Sequence, residues 1–211
     1  MLRKTPIVAL ILLLIFVIGG CFEYEEELVL KDNLSGTLHV HYVTREGSEI
    51  EVDDYSLPTK EDEIRREIEE KYTSDKVKLD KFKVGEKGDW QYVDFTVKFN
   101  EVLDLNDLEQ LGNSRIEIKE QGNGKFEFVR TLKIDSDWEE NEEESVLAKM
   151  ALSLVENAIL DKVKFRFTVT TPKKINKNNA DWVRNDNQAV WRFRLTDLVK
   201  KSRIDMHLDC R

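Results

Sequence analysis

The sequence predicts an α+β protein: mainly antiparallel sheet, one long buried helix and one or two shorter surface helices, in a single domain over residues 21–211. Three patterns carry this expectation. Short segments alternate apolar and polar residues with period two, as a sheet with one wet face requires. Two other stretches place apolar residues at helical spacing. The helical stretches follow groups of strands rather than single strands, unlike the order that builds a parallel α/β sheet.

Tyr24, Leu28 and Leu30 share one face of a first strand, and Leu38, Val40 and Tyr42 one face of a second. The polar segment 31–36 joins them as a hairpin. Pro58 and Thr59 open a helix, with Asp62 completing a capping box. Ile64, Ile68 and Tyr72 form its narrow apolar stripe, and Glu67–Lys71 is one of its acid-before-base pairs. In 77–84 the apolar phase shifts after Leu79, which predicts a bulge near Asp80 and Lys81.

Val93, Phe95, Val97 and Phe99 alternate in the next strand, and a short helix is expected over 104–111. Ile116 and Ile118 lead through Gly122, Asn123 and Gly124 to Phe126 and Phe128, the spacing of a hairpin. The acidic run 135–144 precedes the long helix, expected over 142–160, whose apolar residues include Leu147, Met150, Leu154 and Ile159. Val163, Phe165, Phe167 and Val169 form a strand stopped at Thr171-Pro172. A basic, Asn-rich loop over 173–181 follows, then a strand carrying Ala189, Trp191 and Phe193, then a short one with Ile204, Met206 and Leu208.

Residues 1–20 read as a leader. Arg3 and Lys4 precede an unbroken apolar run of 12 residues, 7–18, then Gly19, Gly20 and Cys21. The run is short for a bilayer span, which needs roughly 20 residues, and fits a secretory signal. Ile18-Gly19-Gly20-Cys21 resembles the lipobox of bacterial lipoproteins. That resemblance implies cleavage before Cys21, a lipid on its thiol, and attachment to the cell envelope through several acyl chains. The destination is the outer face of the plasma membrane or, in a cell with two membranes, the outer membrane, since Phe22 rather than Asp follows the cysteine. Removing 1–20 takes the net charge from −9 to −11, because Arg3 and Lys4 leave and no acid does. Such acidity excludes a nucleic-acid binder that works by neutralising phosphates.

With Cys21 lipidated, Cys210 has no partner in its own chain; it reads as a thiol at a frayed end, with a disulfide between two chains as the alternative. At the mature ends, Cys21-Phe22-Glu23-Tyr24 and Gly36-Thr37-Leu38-His39-Val40, then Phe167 to Ile175, with Thr171-Pro172, and Ala189 to Phe193, resemble the opening and the closing strands of LppM-like lipoprotein domains. The resemblance implies an α+β envelope lipoprotein and supplies no catalytic residues.

Candidate chemistry is sparse. His39 and His41 project from the same strand face and offer half of a zinc or copper site; the plainer reading is two solvated histidines. Asp135, Asp137 and Glu139 alternate like calcium ligands but lack the central glycine of such a loop, and acids at a helix N-terminus explain them. Trp182, with Lys173 and Lys174 in the same basic stretch, is the candidate ligand-binding aromatic. The expectation is a lipid-anchored binding or scaffolding module without a cofactor, its partner an envelope protein, a glycolipid or a cell-wall polymer. A metal-dependent envelope enzyme built on His39 and His41 is the alternative.

Overall fold

The computed structural model describes residues 23–45, 51–52, 55–56, 61–88, 90–108, 113–133, 163–194, 196–197, 201 and 203–211. The leader, Cys21, the acidic run 135–144 and the long helix expected over 142–160 lie outside these residues.

Strands dominate. The first two, β1 (Glu23–Leu30) and β2 (Gly36–Arg45), are the expected hairpin. A two-stranded ribbon, β3 (Glu51–Val52) and β4 (Tyr55–Ser56), precedes helix α1 (Glu61–Tyr72). β5 (Val77–Lys87) and β6 (Trp90–Phe99) form a second hairpin, and the pairing slips between Leu79 and Lys81, where the bulge is expected. After a 3-10 helix (Val102–Asp107) come β7 (Asn113–Gly122) and β8 (Lys125–Lys133). The chain ends with β9 (Lys164–Thr170), β10 (Ile175–Asn178), β11 (Trp182–Arg184), β12 (Gln188–Arg194) and β13 (Arg203–Cys210).

Seven strands make one sheet in the order β11-β12-β9-β1-β2-β6-β5, and four make another in the order β10-β13-β8-β7. The expected α+β class is therefore corrected: the fold is β-rich, and its described helices are α1 and short helical turns. The sheet is also not purely antiparallel, because β1 and β9 pair in parallel. Two stretches read as loop are strands. Within the basic 173–181 stretch, β10 pairs with β13, and next to it β11 pairs with β12. Backbone N–H and C=O groups beside a core need partners whatever their side chains are, so polar residues are drawn into the ladder.

The two sheets share one core. Leu28, Val40, Phe95 and Phe167 from the large sheet and Phe128, Met206 and Leu208 from the small one are at most 1% exposed. Helix α1 adds Ile64 and Ile68, and Tyr72 meets Phe95 edge-on with centroids 4.8 Å apart. Asn106 completes the 3-10 segment by imitating a strand: its amide donates to Ile116 O at 2.8 Å and accepts from Ile116 N at 2.7 Å.

A buried ion pair links the sheets. Glu26 lies on the inward face of β1 and Arg130 on that of β8. The two guanidinium end nitrogens donate to the two Glu26 oxygens, Arg130 Nε donates to Ser114 Oγ at 2.8 Å, and the Tyr24 hydroxyl donates to Glu26 at 3.0 Å. Burial acting alone would lower the Arg130 pKa; the adjacent Glu26 charge and its hydrogen bonds reverse this and raise it. Burial, then the Glu26 charge, hold the Tyr24 phenol well above its usual range.

Cys210 is the second correction. It is not at a frayed end: it is fully buried in β13, opposite Phe126 of β8 and Ile175 of β10. A disulfide between two chains requires this sulfur to leave the core. Burial pushes the thiol pKa up to about 11 from 9.0. Between those values the unfolded chain loses the proton and the folded chain keeps it, so the thiol's contribution is full below about 9 and fades toward about 11. Denaturation of wild type and Cys210→Ala across this window is expected to show their stability difference shrinking with rising pH. A constant difference contradicts the burial of the thiol.

Candidate functional site

One face of the large sheet is packed on the core, and the other is open and polar. Strand registers set two rows across it. One runs Trp182, Val190, Thr168, Glu27, His39 and Thr96. The next runs Arg192, Arg166, Glu25, His41, Asp94 and Lys83. The outward residues divide by sign: β11, β12 and β9 bring Arg184, Arg192 and Arg166, while β1 brings Glu23, Glu25 and Glu27.

Arg192 and Arg166 stand directly opposite each other, an arrangement that repels unless each charge is compensated. Arg166 pairs with Glu25. Arg192 instead lies over the Trp182 indole, 4.3 Å from its centroid, and Arg184 is 5.8 Å from the same ring. Trp182 is thus half-buried beneath a guanidinium. Its Nε1 is buried without an acceptor.

A cleft of about 240 Å³ opens on this face, lined by Glu27, His39, Arg166, Thr168, Trp182 and Arg184 among others. The Glu27 carboxylate and the Arg184 guanidinium have no ion-pair partner among the described residues. The cleft therefore combines an unpaired anion, an unpaired cation and an unpartnered N–H, features of a surface that completes its hydrogen bonding with a ligand or water.

The other expected site residues fall elsewhere. Lys173 and Lys174 sit at the Thr171-Pro172 corner, neutralised by Asp32 at 3.0 Å and Asp186 at 2.9 Å, and do not line the cleft. His39 and His41 share a face, as their spacing requires, and both meet one carboxylate: His39 Nε2 is 3.1 Å from Asp94 Oδ1 and His41 Nδ1 is 3.3 Å from Asp94 Oδ2. Among the described residues no group of three His, Cys, Asp or Glu is arranged to hold a metal ion. All three side chains are about a third exposed, and exposed pairs contribute about 0–1 kcal/mol. The double variant His39→Ala, His41→Ala is expected to lose no more than about 1 kcal/mol in urea denaturation. A loss of several kcal/mol shows that this cluster holds the fold.

Sequence reasoning missed Glu27, Arg166 and Arg192 as members of one site. Each occupies an outward position of an alternating strand, which is legible, but the parallel β1–β9 pairing that joins them is not.

A β-rich, two-sheet domain with a charged cleft on its open face is the class that the fold and the site define. A family model described as LIC11874-like matches residues 16–206, and the chain belongs to the LIC11874-like family. The NMR structure of the folded domain of Mycobacterium tuberculosis LppM is similar to it, at 10% identity and a TM-score of 0.45 over 92% of this chain and 91% of that one. No curated protein matches the chain.

Proposed function

We propose that this protein is a lipoprotein of the bacterial cell envelope, anchored through Cys21, whose domain acts by binding and not by catalysis. The observation that carries the reading is the N-terminal pattern joined to the start of the fold. Arg3-Lys4, the apolar run and Gly19-Gly20-Cys21 form a lipoprotein leader, and Glu23 is the first of the described residues and is paired in the sheet. In the sequence, one residue lies between Cys21 and Glu23. The acyl chains, rather than an acidic domain repelled by anionic headgroups, hold the protein at the membrane. The cleft supports a binding role: its polar groups await partners, and its size lies below the roughly 300–1,000 Å³ of drug-sized sites. The ligand is a small polar group of the envelope.

Metabolic labelling with a fatty acid, followed by mass measurement of the N-terminal peptide, tests the anchor. Wild type is expected to carry label on Cys21 as its first residue, and Cys21→Ala to remain unlabelled and unprocessed. A labelled alanine variant, or a mature chain beginning elsewhere, overturns the lipoprotein reading.

A further inference from the structure

The Glu27 and Arg184 charges on the open face lie in one cleft and do not neutralise each other. β11 and β1 are separated by β12 and β9, so their backbones stand three strand spacings, roughly 14 Å, apart. Both side chains line the cleft together with Thr168 and Val190, and no ion pair joins them. Next to Arg184, the buried indole N–H of Trp182 also lacks an acceptor. Glu27 can only accept hydrogen bonds when ionised, and Arg184 and the indole can only donate.

A neutral ligand leaves both charges uncompensated as water is displaced, and one that carries charge of a single sign leaves one of them so. A ligand with an ammonium at one end and an oxyanion at the other compensates both. The stacking alternative, a sugar ring on Trp182, competes with Arg192, which already lies 4.3 Å from that ring.

We infer that this cleft binds a small zwitterion, with its ammonium on the Glu27 carboxylate and its phosphate or carboxylate on Arg184 beside the Trp182 N–H. Thr168, between the two ends, supplies a hydroxyl to the middle of the ligand. The inference deepens the binding role proposed above and rests on that reading, while the lipid anchor is measured separately.

The test is calorimetric titration of the full-length protein in non-ionic detergent. The probes are phosphoethanolamine and glycylglycine, with ethanolamine and methyl phosphate as controls that carry charge of one sign only. At least one zwitterion is expected to bind with one-to-one stoichiometry, about tenfold or more tighter than either control, since a hydrogen bond to a charged group contributes about that factor. Glu27→Gln is expected to bring phosphoethanolamine down to the methyl phosphate level, and Arg184→Gln to bring it down to the ethanolamine level. Both positions are on the open face, and unchanged circular dichroism confirms that the variants fold.

Phosphoethanolamine and a short-chain soluble phosphatidylethanolamine then distinguish a free zwitterion from a lipid headgroup: equal affinity points to the first, tighter binding of the lipid to the second, and both support the cleft. No saturable heat with either zwitterion, binding no tighter than to the controls, or variants that bind like wild type overturn the inference. If Cys21 carries its label while the zwitterions fail, the inference falls and the envelope reading stands. Zwitterion binding by a chain that takes up no label has the reverse meaning.

Discussion

Arg130→Ala is expected to remove about 3–5 kcal/mol of stability, the loss typical when one partner of a buried ion pair is deleted. The magnitude follows from what is left behind. Glu26 is 4% exposed, and without Arg130 its carboxylate keeps only the Tyr24 hydroxyl as a donor among the partners described. An ionised carboxylate in that position must stay unpaired, take up a proton or force water into the core, and each alternative disfavours the folded state. The guanidinium also packs over Phe167, 5.3 Å from its centroid, so truncation opens a void at the junction of the two sheets. The double variant Glu26→Leu, Arg130→Met is expected to recover most or all of the loss, because desolvation of both charges disappears with them. Urea denaturation of the two variants, with the exposed Lys119→Ala as control, measures the effect. Arg130→Ala no worse than the control removes the ion pair from any structural role.

Phe128→Ala is the second large effect, expected to cost about 3–5 kcal/mol. Phe128 is fully buried in β8, between Leu208 of β13 and Ile118 of β7. Its side chain belongs to the core that the small sheet shares with the large one, and neighbouring side chains cannot collapse fully into the space that it leaves. Because the core is shared, the variant is expected to unfold in one transition at lower denaturant, followed alike by far-UV and near-UV circular dichroism. Two separate transitions show instead that the small sheet is held independently of the large one.

Both predictions concern residues that local reading handles unequally. Phe128 is legible: it follows Phe126 at strand spacing, opposite Ile118 across a Gly-Asn-Gly turn, and Asn123 and Gly124 adopt the positive φ values of 54° and 71° that such a turn needs. Glu26 and Arg130 carry a weaker signal. Each is a charged residue at an inward position of an alternating strand, Glu26 between Tyr24 and Leu28, and Arg130 between Phe128 and Leu132. Two such residues of opposite sign mark a buried pair once the sheets are known to face one core, and nothing in the sequence says that β1 and β8 do.

The sequence by itself determined the strands that alternate cleanly, the β1–β2 and β7–β8 hairpins, the bulge after Leu79, the amphipathic stripe of α1 and the acidic balance of the chain. These depend on backbone geometry and on neighbours within a few residues, so the code for them is local. Only the tertiary structure decided that β1 and β9 pair in parallel, that polar stretches around Lys177 and Val183 become strands, that Cys210 is buried, and that Glu27 and Arg184 face one cleft. Each depends on contacts between segments far apart in the chain. There the drive to bury apolar faces and to pair every enclosed backbone group selects an arrangement that no local pattern encodes.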